Sequence, residues 1–356
     1  LSVLKKTAAL VGSLCLLIVV TSGCLGGGSK PLGWSGATVS GDDLYYATLT
    51  GRLISLDIAT GNPRWQYDME NAKGVYGSPL VVGDTVYIAT YSGFIFAVNS
   101  AGNLKWKYPT DTKLPHSVVT GLVYDSGRLY YGSTDGKVYA LDADSGAKVW
   151  EFTTEDKIWA SPVVDDGVLY IGSFDNHFYA LSADSGSELW DFEAEGVFTA
   201  SAIIADNTVI IASLDRSLYA LDTQTGNKEW QFTAASWFWA TPVVFGDTIY
   251  APNTDGSVYA INVNDGTKLK QYDMAASVSS SPVVVNGEIV VATQGGLISI
   301  IDPISGLVRK LADLEVTVRA PLAASGNIIY VHSQTNEAIY ALDTTSGAQL
   351  WLYKAQ

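Results

Sequence analysis

Eight copies of one phrase of about 40 residues, four short strand-like runs in each copy and glycine-bearing turns between the runs predict an all-β chain. The architecture they predict is an eight-bladed β-propeller of four-stranded antiparallel blades. The copies are marked by the glycine of a D-x-x-S/T-G turn, at Gly61, Gly102, Gly146, Gly186, Gly226, Gly266, Gly306 and Gly347. The intervals are 41, 44, 40, 40, 40, 40 and 41 residues. So regular a period belongs to an array of one supersecondary unit, because a single irregular core imposes no such beat.

The phrase is clearest from Trp159 to Phe192. Its first strand is "SPVV" with its neighbours, followed by "VLYIGS", "FYALSA" and "LWDF". These runs are rich in Val, Ile, Tyr and Phe, the residues that suit a pleated, half-buried surface. The turns "DDG", "DN" and "DSG" supply the positive φ angles of tight hairpins. Beyond the N-terminus no 3.6-residue periodicity is sustained, so helix should be nearly absent. A parallel solenoid is the competing architecture, but its coils are shorter and lack these hairpins. Residues 34–353 span 320 positions, eight units of 40. The ring could close by packing the first blade on the last or by exchanging a strand between them.

Each unit ends in Gly-x-x-x-Trp at Trp65, Trp106, Trp150, Trp190, Trp230 and Trp351; units six and seven carry Lys270 and Lys310 instead. An aromatic side chain of this size buries roughly 150–250 Å². The six indoles are therefore expected to be structural, docked between blades, with a gap at blades 6 and 7. The residue that opens each turn is Asp57, Asn99, Asp142, Ser182, Asp222, Asn262, Asp302 or Asp343. These should cap the turn backbone. They belong to different blades and should stand too far apart to share a metal.

The segments "ALDADSGAKVW", "ALSADSGSELW" and "ALDTQTGNKEW" resemble the tryptophan-docking motif of the PQQ-like (quinoprotein) repeat family, and "SPVV…G.LYIGS" resembles its other half. The resemblance covers about 320 residues and combines motif, period and copy number. It implies an eight-bladed propeller. Within the family, a short chain of bare blades behind a lipidation site is similar to the BamB-like lipoproteins of the outer-membrane assembly machinery. Quinone-dependent dehydrogenases share the tryptophan motif, but they add inserted loops with a Glu/Asn/Asp calcium site, a catalytic Asp and often adjacent cysteines. Here most repeats are held to 40 or 41 residues and adjacent cysteines are missing. The expectation is therefore a non-enzyme with no catalytic residue, metal or cofactor. In BamB-like proteins the partner-binding loops carry charged residues before the equivalent strand. Here "SWFWATPVV" and "SVSSSPVV" carry no acids, and only "VTVRAPL", with Arg319, keeps a basic residue.

Residues 1–23 read as a lipoprotein signal: Lys5 and Lys6, then an apolar run from Thr7 to Val20, too short to span a bilayer comfortably, then "TSGC". Cys24 is the expected lipidation site, although Thr21 stands where Leu is more usual. A plain secretory signal is the alternative. Residues 24–33, "CLGGGSKPLG", read as a lipidated cysteine and a flexible tether, and residues 34–356 as the propeller. The expected location is the extracytoplasmic side of the cell envelope, on the outer membrane or on the outer face of the cytoplasmic membrane.

The net charge is −15, and the 21 Lys and Arg are scattered, so nucleic acid is not an expected partner. The three histidines, His116, His177 and His332, fall in different blades without metal-ligand spacing, and no nucleophile elbow or P-loop occurs. His116 stands out because it lies in the longest insertion between repeats, "PTDTKLPHSVVTG".

Aligning the repeats three residues before the Pro of "SP" gives the series Trp34, Tyr76, Val119, Trp159, Thr199, Trp239, Ser279 and Val318. This position opens the strand nearest the axis. Trp34, Tyr76, Trp159 and Trp239 should therefore ring one mouth, either as a binding rim or as a plug. Trp237 and Phe238 precede Trp239, and at least one of the three should lie exposed or in a loop. The expected role is docking of another envelope or exported protein by a monomeric propeller, with Trp34, Tyr76, Trp159, Trp237, Trp239, His116 and Arg319 as candidate partner-binding residues. The alternatives are a glycan or small-ligand module at the aromatic mouth and a quinone-dependent dehydrogenase.

Overall fold

A computed structural model describes residues 33–70, 72, 74–110 and 114–355. The expected signal segment, Cys24 and the expected tether up to residue 32 lie outside the described residues. Eight four-stranded antiparallel sheets follow one another: blades 1 to 8 cover 38–68, 80–108, 123–153, 163–193, 203–233, 243–273, 283–313 and 323–354. Blade 4 is representative, with strands Val163–Asp165, Val168–Gly172, His177–Ser182 and Glu188–Glu193. No helix occurs among the described residues.

Every sheet takes its four strands from consecutive sequence, so the ring closes by packing and not by strand exchange. The closing seam uses the same device as the others: Trp351 of blade 8 donates its Nε1–H to the carbonyl of Ile58 in blade 1 at 3.0 Å. His332 adds a second tie, its Nδ1 lying 2.5 Å from the Ser35 carbonyl, and the Gln334 amide donates to the Gly33 carbonyl at 2.8 Å.

The strands alternate sides, and their two apolar faces meet those of the neighbouring blades, so the core is a series of inter-blade layers. In blade 4, Phe178 and Ala180 point to blade 5, while Tyr179 and Leu181 point to blade 3. The "Tyr-Ala-Leu" phrase follows from this. Ala180 lies directly across from Trp190 and leaves room for the indole, as Ala140 does for Trp150 and Ala220 for Trp230. One residue further on the register shifts in a bulge, and the turn is swung toward the next blade.

Each indole then docks on the blade that follows. Trp65, Trp106, Trp150, Trp190 and Trp230 donate to the carbonyls of Ser100, Ala143, Ala183, Thr223 and Val263 at 2.8–3.1 Å. The beacon glycine is the surface they rest on. Gly226 has φ +70°, and a Cβ built there would sit 2.6 Å from the Trp190 ring. Glycine is required at this site both by backbone conformation and by the close approach. The residues opening the turns cap them as expected: Asp222 accepts from the amides of Gln224 and Thr225 at 3.2 and 2.8 Å, and Asp343 from those of Thr345 and Ser346 at 3.1 and 2.7 Å.

The repeated Ser/Thr-Pro has its own function. Ser161 accepts from the Gly121 amide of the preceding blade at 2.7 Å, and Ser281 from the Thr241 amide at 3.1 Å. These bonds link neighbouring blades near the axis, where the first strands of successive blades lie side by side.

Candidate functional site

The propeller has two chemically different faces. On one, the connection from fourth to first strand meets the turn between second and third strands: the Phe174 amide donates to the Lys157 carbonyl, Thr254 to Trp237 and Gln334 to Thr317, each at 3.0 Å. On the other, the docking turns meet the turns between first and second strands, as in Ala183 to Gly167 at 2.9 Å. The axial mouth opens on the first face, and all seven candidate partner-binding residues are on it.

At that mouth the aromatics converge. Trp34 meets Tyr76 edge-on at 4.6 Å and Trp239 at 6.5 Å, a contact that joins blade 1 to blade 6 across the axis. Tyr76 in turn touches Tyr91 at 5.5 Å. Trp159 packs on Phe174 at 4.9 Å, and the Lys157 ammonium lies 4.2 Å from the centre of that ring, close enough for a cation–π contact. These indoles are half-buried. They close the mouth as a plug whose outer edges stay accessible.

The ring differs from the alignment on Pro in one member. Val318 is fully buried in the layer between blades 7 and 8. Arg319 takes the axial position, 160 residues after Trp159 and so in register with it. In "VRAPL" the proline stands one place earlier than in the other repeats, and aligning on it shifted the register by one, which exchanges an inward for an outward side chain. The axial ring is thus Trp34, Tyr76, Val119, Trp159, Thr199, Trp239, Ser279 and Arg319. With the Gln294 amide turned to match, its oxygen accepts from Arg319 Nη2 at 2.8 Å and Nε at 3.3 Å. Trp159 Nε1, Thr199 Oγ1 and Ser279 Oγ are buried in this ring with no hydrogen-bond partner among the described residues.

Trp237, Phe238 and Trp239 all lie in the connecting loop. Phe238 is the buried member, packed on Phe232 and Tyr259; Trp237 is half-buried, and its carbonyl holds the Thr254 amide. His116 does not reach outward. Its Nδ1 lies 2.9 Å from Asp135 Oδ2 and its ring stacks on Tyr139 at 5.8 Å, so it pins the insertion to blade 3. His177 pairs instead with Asp191 at 2.7 Å. His332 is buried at the closing seam, where loss of hydration pushes its pKa below the usual histidine value. Among the described residues no three His, Cys, Asp or Glu side chains converge on a common point.

Two features of this face escaped the sequence reading. Lys157 and Phe174 extend the aromatic mouth outward, but they sit in different turns and meet only in the fold. Four tyrosines reach back to an aspartate four residues earlier: Tyr139 to Asp135, Tyr179 to Asp175, Tyr219 to Asp215 and Tyr259 to Asp255, at 2.6–2.9 Å. The D-x-x-x-Y spacing was visible as the signal. Burial and the adjacent carboxylate raise the pKa of each of these phenols, so they stay protonated donors and lock the turns that frame the face.

A ring of eight four-stranded blades, stapled by indoles on glycine turns, places the fold among the PQQ-like repeat propellers. The family model described as outer membrane protein assembly factor BamB matches residues 21–156, 114–198 and 134–353, and the chain belongs to that family. A BamB of Nitrosomonas eutropha is 30% identical over 109 residues, which is 31% of this chain and 25% of that protein. The dehydrogenase subunit of a quinone alcohol dehydrogenase from Gluconobacter oxydans is 34% identical over 103 residues, 26% of this chain and 13% of that protein. The chain thus matches a quarter or less of the length of these relatives. The crystal structure of BamB from Moraxella catarrhalis shares the fold, with a TM-score of 0.72 at 21% identity over 84% of this chain and 93% of that one.

A quinone is the cofactor that this fold could imply. The residues present do not fit one on the axis, because Trp34, Tyr76 and Trp239 already fill the mouth with mutual ring contacts.

Proposed function

We propose that the chain is a non-enzymatic docking scaffold, held by lipid on Cys24 at the extracytoplasmic side of the cell envelope, and that the face around the plugged mouth receives another envelope or exported protein. The observation that carries this reading is the cross-axis packing of Trp34 on Tyr76 and Trp239, which turns the mouth from a substrate entrance into a solid, aromatic-topped surface. Half-buried aromatics with a polar edge, set on rigid blades, are the groups that anchor protein partners. Membership of a family described as an outer-membrane assembly factor supports the same reading. The dehydrogenase activity of the quinoprotein relatives is not carried over, since the match spans 13% of the first of them.

A second reading, a small polar ligand at the mouth, draws on Trp159 Nε1, Thr199 Oγ1 and Ser279 Oγ, which face inward without partners. The test is cross-linking and capture from detergent-solubilised membranes, with the full chain as bait. The docking reading expects one dominant envelope protein, lost in Trp237→Ala together with Lys157→Glu while the melting temperature holds. Capture that is unaffected by these changes, alongside saturable binding on a glycan array, would favour the second reading. For the anchor, Cys24→Ser should move the protein out of the detergent phase; unchanged partitioning would refute lipidation.

A further inference from the structure

Six of the eight seams between blades hold an indole, and the two that lack one differ from each other. At the seam of blades 7 and 8, Lys310 turns away to Asp313 at 3.0 Å. Its neighbour Arg309 takes over, donating to the Thr344 carbonyl at 2.9 Å, the position at which indoles dock in other blades. At the seam of blades 6 and 7 no side chain takes the indole's place at the turn carbonyl; the buried Tyr272 stacks on Tyr250, their ring centres 6.4 Å apart. Lys270 bends over Tyr272 and donates to the Gly306 carbonyl at 2.6 Å, past the Pro303 carbonyl that corresponds to the indole acceptors. The result is a cavity of about 290 Å³ lined by Tyr250, Leu269, Lys270, Pro303 and Gly306.

The rim of this cavity is a second, separate anomaly. In the other full-length turns, the residue two after the capping position is Ala59, Asp144, Asp184, Gln224, Asn264 or Thr345, and the residue after the glycine is small or polar throughout. In blade 7 these positions are Ile304 and Leu307, exposed by 96% and 70%, and Ile304 shares the cavity lining with Leu269 of blade 6, itself 55% exposed. Large apolar side chains left in water around a recess mark a contact surface.

We propose that the seam of blades 6 and 7 is a docking slot for an aromatic side chain, tryptophan by preference, carried on an apolar segment of a partner polypeptide. The occupant is inferred from the chain itself, because the same cradle of Gly and turn carbonyl holds an indole at six other seams, with a tyrosine against the ring at five of them. Residues 1–32 and the other undescribed positions of this sequence contain no Trp, Tyr or Phe that could fill the slot. This inference rests on the docking function for the existence of a partner, but not for the slot.

The test uses the full chain in detergent and saturation-transfer NMR on N-acetyltryptophanamide, with N-acetylleucinamide as the control. Saturable binding of the tryptophan probe is expected, at least about tenfold tighter than the leucine probe. Lys270→Trp, which fills the slot from within, should abolish it and raise the melting temperature. Ile304→Asp should weaken it while the fold is kept, which preserves the test if Lys270→Trp does not fold. No saturable binding, or equal binding by Lys270→Trp, would overturn the proposal. Self-association that Lys270→Trp abolishes would also overturn it, by making a second copy the occupant. If the partner captured from membranes is still held by Lys270→Trp, the slot fails and the docking function stands.

Discussion

Placing a methyl group on Gly226 tests the indole staple directly, because the structure assigns its cost to two separable sources. The residue has φ +70°, and an L-residue in that region costs roughly 1–2 kcal/mol. The new Cβ would also meet the Trp190 ring at 2.6 Å, and a rigid indole wedged against Tyr170 and Phe178 can yield only by losing its packing. Overpacking of this kind costs about 1–3 kcal/mol, so Gly226→Ala should lose about 2–5 kcal/mol in all. Trp190→Ala removes a half-buried ring and its hydrogen bond to the Thr223 carbonyl, and should cost about 3 kcal/mol, the low end for a large-to-small change. The double variant decides between the sources. With no ring to strike, Gly226→Ala should cost only its backbone share, and the pair should be about 1–3 kcal/mol more stable than the sum of the singles. Urea midpoints for the four proteins measure this coupling. Additivity within about 0.5 kcal/mol would mean that the glycine serves the turn alone and that the indole does not bear on it.

Amides of residues 257–311 should exchange faster with deuterium than those of 137–232, because the seam of blades 6 and 7 lacks its indole; equal or reversed rates would show that other packing compensates. His332 is buried with a lowered pKa, so the folded state refuses a proton that the unfolded chain accepts once the pH falls below about 6.5. Stability should therefore be unaffected above that pH and fall by up to about 1.4 kcal/mol per pH unit below it; His332→Gln should flatten this slope in urea titrations between pH 7.5 and 5. The pair Trp159→Ala and Trp239→Ala should lower the melting temperature well beyond Trp237→Ala, since the first two stand in the axial ring and Trp237 does not. Equal losses would place all three in one role.

The fold was legible because each repeat states the same local chemistry eight times. Alternating apolar strands, Asx-capped turns and the Gly-x-x-x-Trp phrase need only near neighbours to declare themselves, and the period multiplies the signal. The six docking indoles could be named from the sequence for the same reason, and so could the missing ones at Lys270 and Lys310. What those two lysines do was not legible. One seam is refilled by Arg309 and the other is left open, a difference that depends on where a flexible cation finds a carbonyl on the next blade.

The candidate face was legible only in outline. The sequence by itself determined that bulky aromatics open several axial strands, but rim and plug carry the same letters. Only the closed ring decided for the plug, because it brings Trp34 against Trp239, 205 residues away, across the axis. The ring likewise placed Arg319, not Val318, at the mouth: strand geometry alternates side chains in and out, so a proline displaced by one position misleads an alignment that the sheet register settles. Lys157 and Phe174 reach the mouth from separate turns, and His116 is turned inward by Asp135 and Tyr139. Contacts between residues of different turns or blades are set by the closure of the whole ring, and no local pattern in the chain encodes them.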